Sequence, residues 1–216
     1  MPNENTQELT SANIVAFIAD IFERRGGEAY LGEPVTVAEH LLQGATLAEQ
    51  GGQPDEIIAS ALLHDIGHFT SEFGTFSMDD TEDRYHEAAG ARVLEPFFPA
   101  TIVDCVRHHV AAKRYLCATR PKYIDRLSPA SVHSLNLQGG PMSNDEVKVF
   151  EKNPNLKQII QVRHLDDSGK REGGETYPFS HFGPLLQRLV DQRLGGKSLR
   201  IATPRPGRGS PWIPLA

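Results

Sequence analysis

The segment ALLHDIGH places two potential metal ligands side by side. His64 and Asp65 directly follow apolar residues at the predicted end of a helix. Burying a bare carboxylate there is costly in free energy, and a divalent metal ion would satisfy both side chains. An adjacent His-Asp pair is also common at an exposed helix end, so the dipeptide alone leaves both interpretations open.

The other histidines favour the metal interpretation. The chain has nine histidines and only two cysteines, which indicates an imidazole–carboxylate site rather than a zinc-thiolate site. A single inward-facing histidine is more often a hydrogen-bonded core residue. Several of them on separate helices beside a His-Asp pair favour a metal centre, and three more candidates lie on separate predicted helices: His40, His86 and His109.

Helical phase separates the adjacent residues His108 and His109. The mean direction of the apolar residues between Ile102 and Val110 lies about 75° from His109 and about 175° from His108. We therefore expect His109 to face inward and His108 to face solvent.

A second unusual pattern is the segment LKQIIQVRHLDDSGK, which carries charge towards a predicted core. Arg163 lies close to the axis of its apolar stripe, and Asp166 and Asp167 flank that stripe. Buried charges need compensation, which a metal ion could give to an aspartate and an anionic ligand to Arg163. The phase slightly favours Asp167 over Asp166, and it carries no weight if the helix ends before Asp166.

Taken together, these residues resemble the HD-domain superfamily of metal-dependent enzymes over roughly residues 10–190. The family pattern is a histidine, a His-Asp pair and a distant aspartate, and some members add two histidines for a second metal. The resemblance implies an all-α helical bundle with a dinuclear site in its core, in which Asp65 bridges two ions and Asp166, not Asp167, is the distant ligand. The implied ligand set is His40, His64, Asp65, His86, His109 and Asp166. Such a set suits iron or manganese better than magnesium.

Further segments are similar to the mixed-valent diiron oxygenase branch that cleaves organophosphonates. In AYLGEPVTVAEH, Tyr30 and Glu33 match a mobile tyrosine and glutamate, of which the tyrosine leaves an iron site when substrate arrives. Other positions match residues that grip phosphonate oxygens in the segments HDIGH, HHVAAKRYL, RLSPASVHSLNLQGGPM and QVRHLDDSGK. These implied substrate contacts are His68, Lys113, Ser131, Ser134 and Arg163.

The resemblance implies two iron ions per chain, in a mixed-valent Fe(II)/Fe(III) state, with O2 as co-substrate. The implied reaction is oxidative carbon–phosphorus bond cleavage of a small organophosphonate. Overall likeness favours (R)-1-hydroxy-2-(trimethylammonio)ethylphosphonate, giving glycine betaine and phosphate, over the 2-amino analogue, which would give glycine. Two other classes remain open, an HD-type phosphohydrolase and a non-catalytic metal-stabilised binding module.

Composition limits the remaining possibilities. The sequence predicts no membrane span, because its apolar runs are too short, and we expect no N-terminal signal peptide. Its few cysteines fit a reducing cytoplasm. A net charge of −6 argues against nucleic acid as a partner, and nothing sets the oligomeric state. We predict one all-α domain over residues 1–192, followed by a basic Gly/Pro-rich tail over residues 193–216.

Overall fold

The protein is helical throughout the part described by a computed structural model, which covers residues 8–30, 32–70, 81–83 and 85–195. Ten α-helices lie in these ranges, joined by turns and one short 3₁₀ segment. In chain order they are α1 (Ile14–Arg25), α2 (Val37–Gln50), α3 (Asp55–Leu63), α4 (Gly67–Thr70), α5 (His86–Leu94), α6 (Ala100–Thr119), α7 (Pro129–Leu137), α8 (Asn144–Phe150), α9 (Leu156–Ser168) and α10 (Phe179–Arg193). The all-α prediction is confirmed.

Two apolar clusters hold these helices together. The larger joins α1, α2, α3 and α10 around side chains such as Ile18, Leu62 and Phe182. The smaller joins α6, α8 and α9 around Leu116, Phe150 and Ile159. Because α2 and α3 pack on each other and both contact α9, the polar ends of these helices are held against α6 in the middle of the bundle.

Local capping sets several boundaries that apolar periodicity alone misplaced. A proline often begins a helix, so Pro34 predicts the start of the second helix, but α2 begins at Val37 because Thr36 and Glu39 form a reciprocal capping box. The apolar residues of the third helix predict an end at Gly67. Instead α3 ends at Leu63, and His64 and Asp65 lie in a turn before α4.

Helices α7 and α8 were not predicted, because α7 buries two serines beside Ala130 and Leu135, and α8 buries only Phe150, so neither shows a clear apolar stripe. Each nevertheless begins with a clear cap. Ser128 accepts a hydrogen bond from the Ser131 amide ahead of Pro129, and Ser143 forms a capping box with Glu146.

The predicted tail cannot be compared with the structure, since residues 196–216 lie outside the described ranges. Helix α10 reaches Arg193, one residue past the expected domain boundary, and the division into body and tail stays a prediction. Within the described residues, none of the helices combines the length and hydropathy that a membrane crossing requires. The cytoplasmic location also stays a prediction.

Candidate active site

Six buried side chains from five parts of the chain converge at the centre of the bundle. They come from α2, the turn after α3, the first residue of α5, the middle of α6 and the end of α9. Each is at most 8% exposed, and together they form the whole predicted ligand set: His40, His64, Asp65, His86, His109 and Asp166.

The first half of this cluster is built around His40 and His64. Their Nε2 atoms lie 3.1 Å apart. Asp166 approaches both, with Oδ1 at 3.5 Å from His40 Nε2 and Oδ2 at 3.7 Å from His64 Nε2. Asp166 Oδ1 is buried and finds no hydrogen-bond partner in the part of the chain that the structure describes, although a carboxylate oxygen in the interior normally has one.

The second half repeats the arrangement, with Asp65 between the two. The Nε2 atoms of His86 and His109 lie 3.1 Å apart, and Asp65 Oδ1 is 3.2 Å from the first and 3.1 Å from the second. Asp65 Oδ2 is turned towards His40 and His64, at 3.8 Å and 3.6 Å from their Nε2 atoms. One carboxylate therefore faces both histidine pairs, as a bridging ligand must.

The tautomers show that this cluster fits metal ions. A carbonyl oxygen can only accept, so His40, His64 and His109 donate from Nδ1 to the carbonyls of Gly169, Ala61 and Val106 at 3.0, 2.9 and 2.8 Å. In a neutral imidazole this leaves a lone pair on each Nε2. Two lone pairs facing each other repel, and a cation between them removes the conflict. Bonding of Nδ1 to a carbonyl is also how metal-binding histidines are normally oriented.

The pKa shifts of several residues in the cluster also favour metal binding. Burial, helped by the charge of His64, lowers the pKa of His40 to about 4. Burial also lowers the pKa of His109. Burial would raise the pKa values of Asp65 and Asp166, but His64 and His68 beside Asp65, and Arg163 beside Asp166, lower both below the usual range. Near neutral pH His40 and His109 thus offer uncharged imidazole, and Asp65 and Asp166 offer ionised carboxylate, which are the forms that bind metals.

His86 differs from the other imidazoles. Burial lowers its pKa, but the hydrogen bond and charge of Asp65 outweigh burial and raise it. Its Nδ1 lies 3.6 Å from Glu87 Oε2 rather than against a carbonyl. The ring therefore lies between two carboxylates, those of Asp65 and Glu87.

Asp166, and not Asp167, faces the cluster. Helix α9 continues to Ser168, so the helical phase applies, but its slight preference for Asp167 is wrong. Asp167 is half-buried outside the cluster, where it pairs with Arg163 and accepts a 2.6 Å hydrogen bond from Tyr123. Arg163 also donates to Asp166 Oδ2 at 2.7 Å and so positions that carboxylate.

Tyr30 closes one side of the cluster. Its hydroxyl donates to Asp65 Oδ2 at 2.7 Å, and its ring stacks on His40 with centroids 4.2 Å apart. Burial, followed by the charges of Asp65 and Asp166, raises the pKa of Tyr30 well above its usual value. Glu33 lies on the same turn, and its amide donates to the Tyr30 carbonyl at 2.7 Å.

A small cavity of about 30 Å³, room for about two water molecules, adjoins the cluster. It is lined by His86 and His109 but not by His40 or His64. All the residues that we expected to contact a phosphonate line it: His68, Lys113, Ser131, Ser134 and Arg163.

Two ammonium–hydroxyl pairs stand side by side in this cavity. Lys113 donates to Ser134 Oγ at 2.6 Å, and Lys170 donates to Ser131 Oγ at 2.8 Å. Our sequence reasoning missed Lys170, because it follows the helix-ending Gly169 and a lysine there is usually a solvated surface residue. Paired ammonium and hydroxyl donors suit an anion with several oxygens.

His68 also offers a free polar atom to this space. Its Nε2 is buried and has no hydrogen-bond partner among the described residues, and its ring stacks on His86 with centroids 4.2 Å apart. Burial, with the nearby charge of His86, lowers its pKa to about 3, so the ring is neutral. A carboxylate oxygen of Asp65 and one ring nitrogen each from His68 and His86 also form a compact trio able to hold a metal.

The contrast between His108 and His109 gives a direct test of the ligand set. His109→Ala is expected to lower the metal content of purified protein, because it removes a donor that faces Asp65. His108→Ala is expected to leave metal content unchanged, since His108 pairs with Asp104 at the surface. Elemental analysis of both variants measures this, and equal losses would contradict the assignment.

Comparison with known proteins agrees with this geometry. A family model described as the HD domain matches residues 37–149, just over half of the chain. This chain is an HD-domain protein. The match includes five of the six converging residues and ends before Asp166, which lies on α9.

Similarity to individual members extends further. The chain is 69% identical over 195 residues to [1-hydroxy-2-(trimethylamino)ethyl]phosphonate dioxygenase (glycine-betaine-forming) of Leisingera caerulea, covering 90% of this chain and all of that protein. It is 42% identical to hydroxymethylphosphonate dioxygenase of Gimesia maris over 68% of this chain and 74% of that one. An uncharacterised protein of Acanthamoeba polyphaga mimivirus is 33% identical, over 88% of this chain and 87% of its own.

These similarities confirm the family predicted from the sequence. The HD-domain protein described here belongs with the phosphonate dioxygenases. Its buried cluster of histidine and aspartate also agrees with a metal-dependent enzyme.

Proposed function

We propose that this HD-domain protein catalyses the O2-dependent cleavage of (R)-1-hydroxy-2-(trimethylammonio)ethylphosphonate to glycine betaine and phosphate. The observation that carries the proposal is the 69% identity, over 90% of the chain, to a dioxygenase named for that reaction. The site adds support, since a buried donor cluster adjoins a cavity lined with cationic and hydroxyl donors. The 2-amino analogue, which would give glycine, is the alternative substrate.

The proposed cofactor is a pair of iron ions in the Fe(II)/Fe(III) state. His40, His64 and Asp166 would hold one ion, and His86 and His109 the other, with Asp65 shared. Histidine and carboxylate ligands of this kind are typical of non-haem iron oxygenases, and when bound the iron supplies the activation of oxygen. The second group has fewer protein donors and faces the cavity, which favours it as the side where substrate enters.

In this proposal the protein's own groups bind and orient the phosphonate. Lys113 and Lys170 would neutralise its charge, while Ser131 and Ser134 would donate to its oxygens. His68, which lines the same cavity and has a buried nitrogen without a partner among the described residues, would also contact it. Arg163 lines the same cavity, but its guanidinium is held by Asp166 and Asp167, so it would act on substrate mainly through charge.

Tyr30 and Glu33 would close this site at rest. The cavity is too small for a phosphonate with an organic chain. The Tyr30 hydroxyl is also hydrogen-bonded to Asp65, one of the proposed metal ligands. Substrate therefore has to displace Tyr30. A segment that leaves only when substrate arrives also limits oxygen chemistry in the absence of substrate.

The test is anaerobic loading of the protein with iron, followed by oxygen uptake and phosphate release with both phosphonates. We expect equal amounts of oxygen consumed and phosphate released, faster with the trimethylammonium compound. Phosphate release without oxygen would instead identify a phosphohydrolase. Metal retention with no substrate consumed would identify a binding module.

The proposed role of Lys113 predicts a pH dependence of anion binding. Burial, with the nearby charge of Arg163, lowers the pKa of Lys113 to about 7, so its ammonium loses charge as pH rises through neutrality. Sulfate stays a dianion over this range, and its affinity for the iron-loaded protein is expected to fall up to about tenfold between pH 7 and 8. Lys113→Arg should flatten this dependence, because guanidinium stays protonated. An equal slope in both proteins, measured by calorimetric titration, would contradict the role.

A further inference from the structure

Lys170 connects the cavity with the turn that carries Tyr30. It lies just past the end of α9, and its ammonium is 2.8 Å from Ser131 Oγ and 3.2 Å from Glu33 Oε1. The two charged side chains are almost enclosed, with 12% of Lys170 and 9% of Glu33 exposed. An ion pair so shielded from water is stronger than one at the surface.

Glu33 links Lys170 to Tyr30. Its carboxylate also accepts a hydrogen bond from Ser128 at the start of α7. Its amide donates to the Tyr30 carbonyl at 2.7 Å, and Lys170 lies over the Tyr30 ring, 5.6 Å from its centroid. Lys170, Glu33 and Ser128 therefore fasten the turn that places the Tyr30 hydroxyl on Asp65.

The same ammonium faces the cavity in which a phosphonate would bind. Lys170 and Ser131 stand beside Lys113 and Ser134, so an anion held by one pair meets the other. A phosphonate dianion carries more charge than the Glu33 carboxylate, and both compete for one ammonium. Because the cavity is too small for an organic phosphonate, binding there and movement of the turn have to occur together.

We propose that Lys170 is a phosphonate-binding residue that also holds the Tyr30–Glu33 turn closed, and that an arriving phosphonate dianion releases the turn by taking this ammonium from Glu33. The proposal rests on the proposed function, since it assumes a phosphonate in this cavity. Lys170 acts on Tyr30 only through Glu33 and the turn, so it is a positioning residue with respect to Asp65.

Three variants separate the two roles. Lys170→Met removes the ammonium, so the turn should open and methylphosphonate should bind roughly tenfold more weakly, the effect of losing a hydrogen bond to a charged group. Glu33→Gln removes only the competitor, so the turn should also open but methylphosphonate should bind more tightly. Lys170→Arg keeps the charge and should restore most of the wild-type behaviour. Lys157→Met, which changes an exposed lysine on α9, the helix that precedes Lys170, is the matched control.

The experiment combines two measurements on iron-loaded protein kept without oxygen. Hydrogen exchange at the amides of Tyr30 and Glu33 reports the turn, and calorimetric titration with methylphosphonate reports binding. In the wild type, methylphosphonate should speed exchange at both amides at least several-fold. In Lys170→Met exchange should already be fast and should not respond, while thermal unfolding stays close to that of Lys157→Met.

Several results would overturn the proposal. One is slow exchange at both amides in Lys170→Met, and another is a weaker affinity for methylphosphonate in Glu33→Gln. If exchange rises throughout α9 and the unfolding temperature falls, Lys170 is merely structural. If the wild type turns over the phosphonates but methylphosphonate does not speed exchange at the two amides, the role of Lys170 in holding the turn is contradicted and the proposed function is not. A wild type that neither binds methylphosphonate nor turns over substrate contradicts the proposed function as well.

Discussion

Asp65→Asn is expected to abolish activity and to reduce the metal content of both halves of the site. Asp65 is the one carboxylate among the described residues that faces both histidine pairs. Asparagine keeps the shape but loses the charge that draws two cations together. Replacement of residues that merely support a ligand typically lowers metal affinity by about 10–100-fold, so a shared ligand should cost more than about 100-fold.

The matched control is Asp55→Asn, which changes the same functional group at the surface end of the preceding helix, where Asp55 pairs with Arg188. It should keep its metal and its activity. Elemental analysis, oxygen uptake and thermal unfolding of both variants make the comparison. An Asp65→Asn protein with two metals per chain and wild-type turnover would contradict the bridging role.

Gly67→Ala is expected to destabilise the fold around the site by at least about 3 kcal/mol, the upper end for forced overpacking. A Cβ at Gly67 would lie 1.8 Å from the carbonyl oxygen of His86 and 2.9 Å from the amide nitrogen of Gly90. Both are main-chain atoms, which cannot rotate away as a side chain can. Helices α4 and α5 would have to separate, and His86 would be moved away from Asp65.

For a chain of this length such a loss corresponds to a decrease in Tm of roughly 10 °C. Gly27→Ala is the control, since a Cβ there meets no atom within 4 Å, and its Tm should change little. Differential scanning calorimetry measures both. If Gly67→Ala unfolds at the wild-type temperature and keeps its metal, the close approach of α4 and α5 is not required.

The inward direction of His109 could be predicted from the sequence, because α6 is long, regular and marked by a clear apolar stripe. The choice between Asp166 and Asp167 could not, since it depends on partners distant along the chain. Tyr123 and Arg163 hold Asp167 away from the cluster, and neither contact leaves a trace in the spacing of apolar residues. The aspartate that the family pattern names is the one that faces the cluster, whereas helical phase favours the one that does not.

The turn around His64 and the role of Lys170 show the same limit. Apolar residues continue past Leu63 to Ile66, so periodicity extends α3 through a segment that turns instead. Lys170 gains its position from Ser131 and Glu33, which are 39 and 137 positions away. The sequence does contain a signal for α8, because Ser143 and Glu146 have the spacing of a capping box.

The outer contacts of the metal cluster bear on how such a site can change over evolution. His40, His64 and His109 are each oriented by a main-chain carbonyl, and a point substitution at Gly169, Ala61 or Val106 leaves a carbonyl in place. In the part of the chain that the structure describes, the group near the Nδ1 of His86 is the side chain of Glu87. Among the described residues, a point substitution can therefore change the surroundings of His86 far more readily than those of His40 and His64.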